Sequence, residues 1–104
     1  MTDFPEPPYY AVIFISKLGE DTQGYEAMAE RIVELARSQP GFLGLESARN
    51  EVGITVSFWR DRESIRKWRD QADHRMARQL GRDKWYRSYD IHIARVETHR
   101  QLHR

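Results

Sequence analysis

Residues 57–89, SFWRDRESIRKWRDQADHRMARQLGRDKWYRSY, combine the end of a strand, an amphipathic helical segment and an aromatic loop. The stretch contains all three tryptophans, Trp59, Trp68 and Trp85, together with two of the five tyrosines and His74. Aromatic side chains that converge from a strand, a helix and a loop are typical of a small ligand pocket. We therefore expect the rest of the chain to hold this segment against a sheet.

The strand that leads into this stretch is predicted over residues 54–59, ITVSFW. Its alternate residues form two different faces, because successive side chains of a strand point in opposite directions. One face is entirely apolar. The other face combines small polar side chains with a tryptophan and suits a cavity wall better than a dense core: Thr55, Ser57 and Trp59.

A second helix is predicted to follow, with Asp61 as its N-terminal cap. Its apolar stripe is Ile65, Trp68, Ala72, Met76 and Leu80. On a straight helix His74 would point opposite to Ile65. We therefore expect a break at Asp70–Asp73, with one of these aspartates as a new cap, so that both Trp68 and His74 face inward. Gly81 is the expected C-terminal stop.

The remaining elements complete the order β-α-β-β-α-β. Strands are predicted over residues 9–17, 42–49 and 87–97. An amphipathic helix is predicted from Tyr25, capped by Asp21 or Thr22 and ended by Pro40-Gly41. This order is that of the ferredoxin-like α+β fold, a four-stranded antiparallel sheet with both helices on one face. Because three strands carry sizeable side chains on both faces, we expect two chains to pack sheet against sheet as a homodimeric α+β barrel.

Length and composition predict one soluble domain over residues 1–104, with an extended arm at 1–8 and a frayed tail at 98–104. The chain is 39% hydrophobic and 32% charged, and no apolar run is long enough to span a bilayer. It has no cysteine, which excludes disulfides and sulfur-based zinc sites. We expect a cytoplasmic protein that binds no membrane.

Basic residues gather between Arg60 and Arg104, but acidic residues dilute them, and the net charge is only +1. This pattern predicts solvated helix faces with ion pairs at three- and four-residue spacing, not a nucleic-acid interface. His99 and His103 have the spacing of two metal ligands on a helix, yet they lie in a polar tail without a suitable carboxylate, so no metal site is predicted.

Three segments carry a resemblance to a known family: PGFLGLESAR (40–49), GITVSFWRDRESIRKWR (53–69) and HRMARQLGRDKWYRSYDIHIARVE (74–97). Together they resemble the antibiotic biosynthesis monooxygenase family, from about Tyr9 to Glu97, and the pattern of Arg82, Trp85, Tyr86 and Tyr89 resembles an uncharacterised bacterial branch. The resemblance implies a dimeric α+β barrel. It also implies one of two chemistries, cofactor-independent oxygenation of aromatic compounds or binding and degradation of haem.

The haem-degrading relatives resemble this chain in the tryptophan of the second helix, here Trp68. They place an iron-ligating histidine ten residues later, where this chain has Arg78, and an asparagine in the first strand, where it has none. Haem would therefore require His74 as a displaced ligand. The sequence favours a reaction without cofactor over a haem-degrading one.

Cofactor-independent oxygenation of a phenol, a quinol or a polyketide-like aromatic requires a base, an apolar pocket and a donor for the developing oxyanion. His74 is the predicted catalytic base. The predicted substrate-binding residues are aromatic clamps and hydrogen-bond donors: Phe14, Trp59, Trp68 and Trp85 as clamps, and Ser57, Tyr86 and Tyr89 as donors. The alternative from another class is a non-catalytic dimeric module that binds a small apolar molecule.

Overall fold

The computed structural model describes residues 4–78 and 84–104, and for residues 74–78 it describes the backbone alone. The element order is β1 (Tyr9–Leu18), α1 (Tyr25–Arg37), β2 (Phe42–Arg49), β3 (Gly53–Trp59), α2 (Arg62–Arg78) and β4 (Tyr86–Val96). The four strands form one antiparallel sheet in the order β2-β3-β1-β4. The predicted ferredoxin-like α+β fold is therefore confirmed.

Strand β1 lies in the middle of the sheet and sets which side chains share a face. Val12 pairs with Ser57 of β3 and with Ile93 of β4, and Phe14 pairs in the same way with Thr55 and Ile91. Residues paired in register point to the same side of a sheet. Phe14, Thr55 and Ser57 therefore lie on one face, and the alternation in the sequence predicted this for Thr55 and Ser57.

Helix α1 begins one turn later than its predicted caps. Its N-terminal cap is Gly24, which has a φ of 86°, a left-handed conformation that glycine adopts without steric cost. The carboxylate of Asp21 instead accepts a hydrogen bond from the backbone N–H of Gln23 at 3.2 Å. Asp21 therefore stabilises the turn before the helix, and the prediction of Asp21 or Thr22 as the cap was wrong.

Helix α2 starts as predicted but is not broken. The carboxylate of Asp61 accepts a hydrogen bond from the backbone N–H of Ser64 at 2.8 Å, which is the expected capping contact. The helix then continues from Arg62 to Arg78, so the predicted break was wrong. Asp70 does not cap a new helix, because its carboxylate pairs with Arg66 one turn earlier at 3.4 Å. The expected stop at Gly81 lies outside the described residues.

The ion pairs expected on the basic face of α2 are present. Arg66 contacts both Glu63, three residues earlier, and Asp70, four residues later. All three side chains are more than half exposed, so these pairs contribute little to stability. Among the described helices, none is long and apolar enough to cross a membrane.

The core lies where α1 and α2 meet the sheet. Val12, Ala36, Trp59 and Ile65 are buried there, with exposed fractions of 3% or less. Tyr10, Phe42 and Trp68 pack against this group from its edge.

Neither α1 nor α2 covers the opposite face of the sheet, as far as residues 4–78 and 84–104 show. Phe4 of the N-terminal arm packs on this face, with ring centroids 5.3 Å from Tyr9 and 5.2 Å from Phe58. The hydroxyl of Tyr9 is also hydrogen-bonded to Nδ1 of His99 in the C-terminal tail, at 2.9 Å. Both chain ends therefore contact one end of this face, while Ile54 remains 45% exposed.

Loss of the α2 cap should be measurable. We expect Asp61→Ala to lower the free energy of unfolding by about 1 kcal/mol at neutral pH, measured by urea denaturation. The hydrogen bonds from the backbone and side chain of Ser64 lower the pKa of Asp61. The stabilisation is therefore present above the unfolded-state pKa and is lost as pH falls through the folded-state pKa, so the difference should shrink in acid.

The matched control is Asp61→Asn, which keeps an oxygen that can accept the same hydrogen bond. This variant should retain most of the stability at neutral pH. A loss equal to that of Asp61→Ala would contradict the capping role.

Candidate functional site

A cavity of about 140 Å³ lies between the helix-covered face of the sheet and the two helices. The sheet contributes its floor: Val12, Phe14, Leu45, Thr55, Ser57 and Ile91. The helices contribute its roof: Tyr25, Met28, Ala29, Ile32, Val33, Trp68, Arg69, Ala72 and Asp73. Trp85 and Tyr86, which precede and begin β4, close one end.

The volume of the cavity limits what it can hold. An apolar cavity of about 150 Å³ is large enough for one benzene molecule. The cavity described by these residues therefore accommodates a single aromatic ring.

The floor of the cavity is low in the middle because two of its side chains are short. Thr55 and Ser57 occupy the central positions of β3 on this face. Ser57 is buried, and its Oγ accepts a hydrogen bond from Nε1 of Trp59 at 2.9 Å. Its hydroxyl hydrogen remains available, since a serine both donates and accepts.

Trp59 and Trp68 form an aromatic pair at one end of the cavity. Their ring centroids are 5.1 Å apart, and Trp59 is completely buried behind Trp68, against Phe42. The Trp68 ring lines the cavity, whereas Trp59 does not. Among the described residues, the indole N–H of Trp68 is the buried side-chain polar group that has no hydrogen-bond partner. Buried donors are normally satisfied, so this N–H is available to a ligand or a water molecule.

Trp85 closes the other end and is fixed by polar contacts. Its Nε1 donates to the backbone carbonyl of Gln23 at 2.8 Å, and its own carbonyl accepts from the backbone N–H of Gly19 at 2.8 Å. Its ring meets that of Tyr25 edge to face at 5.8 Å. Trp85 therefore ties the residue that precedes β4 to the segment before α1.

Tyr86 and Tyr89 lie beside Phe14 at the same end. The rings of Phe14 and Tyr89 are stacked at 5.7 Å, and Tyr86 meets both in edge-to-face contacts. Burial, together with the neighbouring Tyr25 hydroxyl, raises the pKa of Tyr86 above its ordinary value. Tyr86 is therefore protonated at neutral pH and can donate a hydrogen bond.

A polar group behind Tyr25 was not predicted from the sequence. The guanidinium of Arg49 donates to the hydroxyl of Tyr25 at 3.3 Å, to the Ser16 carbonyl at 3.5 Å and to Oγ of Ser16. It also lies 5.4 Å from the centre of the Tyr25 ring, a cation–π contact. Ser16 is only 1% exposed, so one side of the guanidinium is anchored in the protein.

Gly53 makes room for this arginine. Gly53 is paired with Arg49 across the β2–β3 hairpin, so both residues face the same side of the sheet. A β-carbon at Gly53 would collide with the guanidinium of Arg49. An arginine opposite a glycine at a strand end was the signal in the sequence that could have indicated this contact.

The structure brings most of the predicted substrate-binding residues together. Five of them line the cavity: Phe14, Ser57, Trp68, Trp85 and Tyr86. Trp59 lies behind Trp68, and Tyr89 lies beside Phe14 on the edge strand, 39% exposed. The side chain of the predicted base, His74, lies outside the described residues, as does that of Arg78.

Comparisons with known proteins agree on one family. Residues 8–80 match the family described as antibiotic biosynthesis monooxygenase. The uncharacterised protein YqjZ of Bacillus subtilis is 49% identical to this chain, over 96% of the chain and 93% of YqjZ. A jasmonate monooxygenase of Pyricularia oryzae is 29% identical over 88% of the chain, which spans only 39% of that longer protein.

A solved structure shows the same fold. SnoaB, a cofactor-independent oxygenase from Streptomyces nogalater, superposes with a TM-score of 0.70, over 92% of this chain and 97% of SnoaB, at 15% sequence identity. An identity this low supports the fold alone. The family match over residues 8–80 and the similarity to YqjZ show the family as well as the fold. The chain belongs to the antibiotic biosynthesis monooxygenase family.

Proposed function

We propose that this protein is a cofactor-independent monooxygenase that oxidises a small aromatic substrate, a phenol or a quinol, in the cavity between the sheet and the helices. The observation that carries the proposal is a ring-sized cavity walled by aromatic side chains, among them Trp68, whose indole N–H is unpaired. Family membership and the names of two similar proteins, an oxygenase and a monooxygenase, support the reaction type.

The reaction needs no external reductant if the ring supplies every electron. A phenol that loses a proton becomes an electron-rich anion that can pass an electron to O₂. One oxygen atom then becomes bonded to a ring carbon, and the other leaves as water with two hydrogen atoms from the substrate. A phenol becomes a quinone in this way, and a quinol becomes a hydroxyquinone. The protein has to bind the ring, remove the proton and stabilise the anion.

The proposed base is His74. It follows Ala72 and Asp73 on α2, and both of these residues line the cavity. An imidazole has an unperturbed pKa near neutral, which suits proton abstraction from a phenol at physiological pH. Phe14, Trp68 and Trp85 are the proposed walls for the ring, and Ser57, Tyr86 and Trp68 are the proposed donors to its oxygen atoms. Trp59 and Tyr89 support these walls from behind.

We further propose that the reaction uses neither metal nor flavin, and that haem is not the ligand. The cavity volume of about 140 Å³ supports the part of this proposal that concerns haem and flavin. Pockets that hold drug-sized molecules measure about 300–1,000 Å³. Haem would need a pocket at least that large.

Oxygen consumption tests the proposed reaction. We expect the protein to accelerate O₂ uptake with a one-ring quinol, and His74→Ala to reduce kcat by about 10²-fold or more, the usual contribution of a general base. A three-ring anthrone should react more slowly than the one-ring quinol, since it exceeds the cavity. The matched control is His92→Ala, which removes a histidine from the face of β4 opposite the cavity.

Uptake that is unchanged by His74→Ala would remove His74 from the role of base. Binding of the quinol without any oxygen uptake would instead identify a non-catalytic binding module.

The N–H of Trp68 gives a separate prediction for ligand binding. Trp68→Phe keeps an aromatic wall but removes the donor, and we expect Kd for the quinol to rise about fivefold, the effect of one lost hydrogen bond of about 1 kcal/mol. Isothermal titration calorimetry measures this change. Trp85→Phe is the comparison, because its N–H is already bonded to Gln23. An equal effect of the two substitutions would show that Trp68 acts through its ring alone.

We also propose that two copies of the chain pair through the open face of the sheet. This face carries Ile13, Ile15, Ile54, Val56 and Phe58, and no helix in the described part of the chain covers it. Exposed apolar patches of this kind mark interaction surfaces. The family resemblance implies the same arrangement, a barrel formed between two sheets.

Sedimentation velocity tests the pairing. We expect the wild-type protein to sediment as a dimer and Ile54→Glu to shift it to a monomer, because a charge would be buried between the sheets. Val52→Glu is the matched control, since Val52 is similarly exposed but lies in the β2–β3 turn. A wild-type monomer, or a dimer that Ile54→Glu leaves intact, would contradict the proposal.

A further inference from the structure

At one end of the cavity, three polar side chains from three different elements come together. Tyr25 at the start of α1 and Tyr86 at the start of β4 both line the cavity, with ring centroids 5.7 Å apart. Arg49 at the end of β2 contacts the hydroxyl of Tyr25 from outside the cavity wall. We name Arg49, Tyr25 and Tyr86 the tyrosine–arginine cluster.

The direction of the contact between Arg49 and Tyr25 is fixed by chemistry. A guanidinium carries only donors, so Arg49 must donate and the oxygen of Tyr25 must accept. The hydroxyl hydrogen of Tyr25 is therefore not used by Arg49. This contact also strengthens Tyr25 as a donor, because hydrogen bonds in series polarise one another.

The hydroxyl hydrogens of Tyr25 and Tyr86 decide which hydrogen-bond donor a ligand can use. The two tyrosines have two hydroxyl hydrogens, and the contact with Arg49 uses neither of them. The two rings are neighbours, and if their hydroxyls bond to each other, that bond uses one hydrogen and the other remains. Both tyrosine side chains line the cavity, so this donor belongs to the cavity wall. This end of the cavity therefore offers a donor that is backed by a positive charge.

We propose that the tyrosine–arginine cluster binds the ionised oxygen of the substrate, so that the cavity selects a phenolate or enolate over its neutral form, with Arg49 as the residue that determines this preference. The inference rests on the proposed function in one respect, that the cavity is the ligand site. It does not require that the ligand be oxidised.

The surroundings of the cluster favour an anion. Arg49 is its charged group and is exposed to solvent, whereas the two tyrosines contact the aromatic rings of Phe14 and Trp85 in the wall. A hydrogen bond from a tyrosine hydroxyl to an anion inside the cavity would therefore be stronger than in water. The charged residues of the wall itself, Arg69 and Asp73, come from α2 and have opposite signs.

A coloured phenol tests the preference without turnover. Para-nitrophenol has one ring, its pKa is near neutral, and its ionised form absorbs visible light. We expect the wild-type protein to bind the phenolate about tenfold more tightly than the phenol, which lowers the pKa of the bound probe by about one unit. Absorbance titrations against pH, with and without a saturating excess of protein, measure this shift.

Three variants perturb the tyrosine–arginine cluster, and a fourth serves as the control. Arg49→Met should abolish most of the shift, and Tyr25→Phe should do so while keeping the ring. Gly53→Ala retains the arginine but displaces its guanidinium, and should reduce the shift in the same direction. The matched control is Arg62→Met, because Arg62 also lies 5.4 Å from a tyrosine ring, that of Tyr10, and does not line the cavity. Thermal unfolding confirms that each variant is folded.

The inference is overturned if the wild-type protein does not bind the probe, if the bound probe shows no lowered pKa, or if Arg49→Met and Tyr25→Phe both retain the full shift. Oxygen uptake with the quinol is scored separately. A lowered probe pKa without oxygen uptake would support the phenolate site and contradict the monooxygenase. Oxygen uptake without a lowered pKa would support the monooxygenase and contradict the phenolate site.

Discussion

The contact between Trp59 and Trp68 fixes the position of α2 over the sheet. Trp59 stands at the end of β3, where it is completely buried between Phe42 and Trp68 and donates its N–H to Ser57. A buried aromatic side chain with its polar group satisfied allows little rearrangement. A second contact, between Trp85 and the backbone of Gln23, holds the far end of the same layer. Thr55 and Ser57, which lie on the sheet between these two anchors, are too short to reach the helices, and the space that remains is the cavity.

The sequence predicts the fold well because its signals are local. Alternation of side chains predicted which residues of β3 share a face, and Asp61 predicted where α2 begins. The break in α2 could not be judged in this way. An aspartate inside a helix looks like a cap until its partner is known, and the partner of Asp70 is Arg66, one turn earlier on the same helix. A helix cap and an ion pair inside a continuous helix place an aspartate in the same sequence pattern, so only the structure distinguishes them.

The candidate site was predictable in part for the same reason. Ser57, Trp68 and Trp85 were identified because strand alternation and aromatic content point toward a cavity wall, and all three line it. Trp59 shares a face with Ser57 but ends up behind Trp68, since the position of α2 decides which ring meets the open space. Arg49 was missed because its importance depends on pairing with Gly53 across a hairpin and on contact with Tyr25 from α1. Tyr25 itself looked like one more apolar position of a helical stripe.

One fold hosts many functions, so the chemistry of this chain has to be argued from its cavity. A phenolate that is bound too tightly is a poor electron donor, because each kcal/mol that stabilises the anion also makes oxidation harder. A direct ion pair with Arg49 would therefore favour binding at the expense of reactivity. In the proposed arrangement Arg49 acts through the hydroxyl of Tyr25, which places the positive charge one residue away from the ligand. Such a contact favours ionisation of the phenol while leaving the ring rich in electrons, and a reaction that relies on the substrate alone to reduce O₂ requires both.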